Sequence, residues 1–88
     1  MDEKILKKIN EEFIKMFKDS FNIIENENIF DNDCITVNED NTFNLISKEI
    51  KQLNQIKINL KSVSVDKNGQ IKGNLIINEH PFGTFEIL

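Results

Sequence analysis

Apolar residues recur at three- and four-residue steps from Ile5 through Leu6, Ile9, Phe13, Met16 and Phe17, with Phe21 one turn further, as on one buried face of an α-helix. Asp2 stands in N-cap position before Glu3. The opposite face carries Lys4, Lys7, Lys8, Glu11, Glu12, Lys15, Lys18 and Asp19, with Glu11 and Lys15 spaced for an i, i+4 ion pair. In so small a chain the Phe-rich stripe is read as the helix's share of the core rather than as a filler for a partner's groove.

Residues 22–33 mix Ile23, Ile24, Ile29 and Phe30, which favour burial, with Asn and acids, which favour caps and turns. Either the helix runs on to about Glu25, or the segment is an irregular connection anchored by Ile24 and by Ile29 or Phe30. Two β-type runs follow, Cys34–Val37 and Thr42–Ile46, joined by the turn residues Asn38–Asn41. Ser47 is placed to cap a second short helix near 47–54 with Ile46, Ile50 and Leu53 spaced for one face; an extended crossover is the alternative.

From Ile56 to Asn78 two further strand-like runs flank Asp66-Lys-Asn-Gly-Gln70. Asn68-Gly69 suits either a two-residue type I′ turn or a three-residue loop with Gly69 in a G1 bulge, and the second option sets Val65 opposite Ile71 and Val63 opposite Gly73. The apolar positions change parity from Ile56, Ile58 and Leu60 to Val63 and Val65, which predicts a bulge or a strong twist near Lys61-Ser62. Gly73 inside a strand marks a bulge or a close approach of another backbone. His80-Pro81-Phe82-Gly83 reads as a turn before a last strand from Thr84. Together these elements predict an α+β fold in one domain spanning 1–88, an amphipathic helix packed on an antiparallel sheet of about five strands.

At 88 residues the chain buries only ~60–65% of its unfolded surface, which leaves little structure for an internal cleft and excludes a two-domain enzyme. The composition has no apolar run long enough for a membrane span. All 11 basic residues are Lys. Without Arg the chain lacks the planar fork that reads phosphates and guanine edges, and without Tyr or Trp its seven Phe are its only aromatics. One cysteine and a charged N-terminal stretch predict a cytoplasmic protein. Abundant Ile and Asn with no Ala or Arg suggest an A/T-rich genome, such as a low-GC bacterium or a phage it carries.

The net charge of −4 is unevenly placed. Between Asp19 and Ser47 there are seven acids and no lysine, while Lys48 to Lys72 carries six lysines against Glu49 and Asp66. The folded molecule is dipolar if the fold keeps these segments apart, and otherwise the charges are ordinary solvated surface.

Catalysis by a Cys–His pair would have to come from Cys34 and His80, but Asp31 and Asp33 beside Cys34 oppose thiolate formation. A calcium loop starting at Asp31 fails because Thr36 stands where Gly is required and Thr42 where Glu is required; from Asp66 the Gly comes too early. Zinc would need more than one Cys and one His. No Gly-rich phosphate loop is present. Lys57, Lys61 and Lys72 are a weak nucleic-acid candidate, opposed by overall acidity and by the lack of a stacking aromatic on that ribbon.

The expectation is therefore a non-enzymatic protein-binding module without metal or cofactor. Its partner-binding residues would be Glu25, Glu27, Asp31, Asp33, Glu39 and Asp40, facing a basic surface on a larger protein as an inhibitor, antitoxin, immunity-like or phage counter-defence protein would. The alternative is a structural or assembly protein that self-associates, or adds a strand to a partner sheet, through its last strand.

Overall fold

The helix α1 covers Glu3–Phe21 and starts as expected, with the Lys4 N–H donating to Asp2 Oδ1 at 2.9 Å. The computed structural model describes residues 2–21, 28–48 and 56–88, with the backbone alone for Ser20 and Phe21. Glu25, Glu27, Ile23, Ile24 and residues 49–54 of the expected second helix lie outside the described residues.

Leu6, Ile9, Phe13 and Phe17 are buried. Met16, expected in the same stripe, is 53% exposed. At 3.6 residues per turn Met16 falls on the margin of the stripe, on the side of half-buried Ile5. Lys15 pairs with Glu12 at 3.7 Å rather than with Glu11, an exposed contact of small energetic weight.

Five strands form one antiparallel meander in chain order: β1 (Ile35–Val37), β2 (Phe43–Ile46), β3 (Ile58–Val65), β4 (Ile71–Ile77) and β5 (His80–Ile87). Leu45, Ile58, Leu60, Val63, Ile71, Phe85 and Ile87 point to the helix and complete the core, together with Ile29 and Phe30 from the segment after α1. Phe13 lies at the centre, edge-on to Phe30 at 5.9 Å and to Phe85 at 5.5 Å. No helix among the described residues is long and apolar enough to cross a membrane.

The β3–β4 connection is the three-residue option. Asp66 N–H donates to the Gln70 carbonyl and Gly69 N–H to the Asp66 carbonyl, both at 3.0 Å, and Val65 pairs with Ile71. The expected bulge is present: the register shifts between Lys61 and Ser64, and Ser62 takes φ of 53°. The extra residue lets Leu60 and Val63 both face the core. Gly73 is approached by side chains rather than by another backbone, since a Cβ there would sit 2.8 Å from the Phe85 ring and 3.1 Å from Val63 Cγ2.

Two further expectations are corrected. Cys34 belongs to a 3-10 turn, Asn32–Cys34, rather than to the strand, because the Asp31 side chain accepts the Asp33 N–H at 3.0 Å and turns the chain there. Ser47 Oγ accepts the Ile58 N–H at 2.9 Å and ties the ends of β2 and β3 together. The last turn is Asn78–Glu79 rather than His80–Gly83. Both its residues are left-handed, at φ of 49° and 69°, as a two-residue type I′ turn requires, and β5 begins already at His80.

Asn10, a polar residue within the apolar stripe, is buried. Its Nδ2 donates to the carbonyls of Leu6 at 3.1 Å and Phe30 at 2.8 Å, and its Oδ1 accepts the Phe30 N–H at 2.8 Å. Replacing Asn10 by Leu leaves both main-chain groups of Phe30 buried and unsatisfied. We expect a loss of about 1–3 kcal/mol, measured by chemical denaturation.

Candidate functional site

The described acids do not converge. Asp31 and Asp33 precede β1, whereas Glu39 and Asp40 form the turn after it, so about 10 Å of extended strand separates the two pairs. Two of the four are occupied with local structure. Asp31 caps the 3-10 turn and accepts the Cys34 thiol at 3.3 Å. Asp40 accepts the Thr42 N–H at 3.0 Å and the Thr42 hydroxyl at 2.6 Å. Asp33 and Glu39 are exposed.

Glu39 and Asp40 border an open concavity of about 520 Å³ with Asn38, Asn44, Lys61 and Ser62. Its floor is a chain of hydrogen bonds. The Ser62 N–H donates to Asn44 Oδ1 at 3.0 Å, Asn44 and Asn38 exchange amide bonds at 3.0 and 3.2 Å, and Asn38 Nδ2 donates to Thr42 Oγ1 at 2.9 Å. These bonds join the β3 bulge to the β1–β2 turn. They also set Lys61 beside the acids, so the acidic and basic stretches of the chain meet here. Sequence reading missed the two Asn residues; the parity change at Lys61-Ser62 was the only pointer to the bulge they serve.

Of the three candidate lysines, Lys72 has its Nζ 3.9 Å from Glu86 and Lys61 borders the acidic turn. Cys34 and His80 sit by opposite edges of the sheet, β1 and β5. Four strand spacings, about 19 Å, separate those edges, so the two do not form a catalytic pair. The Cys34 thiol is held above its ordinary pKa chiefly by burial; the Asp31 N–H works against this, and the Asp31 carboxylate reinforces it. Among the described residues no group of three His, Cys, Asp or Glu could hold a metal ion.

The two sheet edges differ in kind. β1 has three residues and is bracketed by acids at both ends, devices that blunt an edge. β5 has eight residues, and no described strand lies beyond it. Its one acid, Glu86, lies beside Lys72. Bonded and non-bonded pairs alternate along an antiparallel ladder. Counting from the Asp66–Gln70 closure through the registers of β3, β4 and β5, the main-chain N–H and C=O of Thr84 and Glu86 turn away from β4. Counting from the Asn78–Glu79 turn, Pro81 has its nitrogen on the open side. The bulge at Pro81-Phe82 ends this blocked half, leaving Gly83–Ile87 as the open half.

Comparison of the chain with protein-family models, with curated proteins and with solved structures finds no match.

Asp40 is held below the ordinary carboxylate value of 3.8 by the hydroxyl and N–H of Thr42. A depressed carboxylate contributes stability above its unfolded pKa, and that contribution is lost as pH falls through the folded value, here below 3.8. Thr42→Val should therefore raise the Asp40 pKa toward 3.8, read from side-chain chemical shifts in an NMR titration.

Proposed function

We propose that the chain is a non-enzymatic protein-binding module that binds by strand addition at the open half of β5. The observation that supports it is the contrast between the edges: β1 is short and flanked by acids, while Gly83–Ile87 offers unpaired main-chain groups with no uncompensated charge. Phe82 at the end of this segment is 65% exposed and supplies an apolar anchor. Main-chain pairing with apolar contact is insensitive to ionic strength.

Thr84→Pro removes an outward N–H without touching the β4 ladder. In affinity capture from a low-GC bacterial lysate, wild type should retain its partner at both low and high salt. Thr84→Pro should lose it while keeping the wild-type melting curve. Retention of the same partner by the variant would exclude the β5 edge.

A second reading has its own support. Asp33 and Glu39 stand exposed at the two ends of β1, where a basic surface laid along that edge would meet both. An inhibitor of the antitoxin, immunity or phage counter-defence kind, occluding a basic site, would use them in this way. Neutralising them as Asp33→Asn with Glu39→Gln leaves the structural roles of Asp31 and Asp40 untouched. On this reading the double variant weakens binding about tenfold at low salt and little at high salt.

A further inference from the structure

We infer that the strand added at β5 is β5 of a second copy of this chain, paired antiparallel about a two-fold axis at Phe85. This rests on the strand-addition reading above and names its partner. A symmetric pair must be self-complementary, with each residue facing its mirror position across the axis. The open half of β5 offers few such registers. An axis at Glu86 sets two carboxylates directly opposite each other, which is destabilising. An axis at Thr84 pairs Glu86 with Phe82 of the second copy and leaves Leu88 facing His80.

An axis at Phe85 satisfies each position. Thr84 and Glu86, whose main-chain groups face the open edge, pair with each other, so the Glu86 carboxylate meets a hydroxyl side chain rather than another acid. Three residues from the axis on either side stand Phe82 and Leu88, which are 65% and 87% exposed. In this register each Leu88 lies against Phe82 of the second copy, and these otherwise solvent-exposed side chains cover one another. Pro81 and the bulge at Phe82 end the pairing there, which fixes the register against slippage by a further pair. A strand pair of this length buries less than the roughly 1,200 Å² of standard stable interfaces, so the dimer is one that forms at high protein concentration.

The test is sedimentation equilibrium of the full chain across a concentration series, with disulfide trapping to read the register. Wild type should shift from monomer to dimer as concentration rises, equally at low and high salt, and Phe82→Asp should weaken the association about tenfold. Phe82 is exposed, so this variant keeps the test valid where Thr84→Pro fails to fold. In a Cys34→Ser background, Thr84→Cys mixed with Glu86→Cys should give more dimeric disulfide than either variant alone. A monomer at every concentration overturns the second copy as partner, and disulfides forming preferentially between like variants overturn the axis at Phe85. If the chain is monomeric while Thr84→Pro still abolishes capture from lysate, strand addition stands with a different partner. If Thr84→Pro alters neither, both readings fall.

Discussion

The side chain of Asn10 holds both main-chain groups of Phe30, and the placement of the sheet against the helix follows from that hold. The chain leaves α1, crosses residues outside the described set, and returns with Ile29 and Phe30 fully buried. A segment without regular structure cannot satisfy its own N–H and C=O groups in an apolar interior. The Asn10 carboxamide supplies a donor and an acceptor at once, which an apolar residue of similar size could not do. With Phe30 held, its ring meets Phe13 edge-on, and Phe13 in turn meets Phe85 from the far edge strand. One amide thus fixes the aromatic contacts that tie helix, return segment and β5 together.

The second constraint is the β3 bulge. Without an extra residue at Ser62, either Leu60 or Val63 would face solvent. The strand accepts a left-handed residue there, and its freed N–H goes to Asn44. The polar concavity beside Lys61 is a consequence of that accommodation. It brings charges of opposite sign together, which is why the segregation of acids and lysines along the chain does not become a segregation on this part of the surface. Gly73 serves the same packing from β4, since only hydrogen fits between the Phe85 ring and Val63.

A sheet covered by a helix on one face still has two edges, and here they are treated differently. Short length and flanking acids blunt β1. At β5 the blunting devices, Pro81 and the bulge, stop halfway along the strand. The C-terminal half keeps the alternation of buried Phe85 and Ile87 with exposed Thr84 and Glu86 that a further strand would continue. Two of the acids that are prominent in the linear sequence are local in role: Asp31 and Asp40 shape turns.

The sequence by itself determined the elements that rest on local rules. Helical periodicity marked α1, β-branched runs marked the strands, Asn68-Gly69 with its flanking pattern marked the β3–β4 hairpin, and the parity change at Lys61-Ser62 marked the bulge. Each depends on residues close together in the chain. Tertiary structure alone decided the roles that need a distant partner. Asn10 looked like a flaw in an apolar stripe until Phe30, 20 residues later, met it. Met16 fitted the stripe but lies exposed at its margin. The Asn78–Glu79 turn was overlooked because His80-Pro81-Phe82-Gly83 has the stronger turn composition, yet pairing with β4 drew those residues into a strand as far as the bulge. Whether acids gather, whether Cys34 meets His80, and which edge stays open all depend on strand order, and strand order is set by long-range packing that no local pattern encodes.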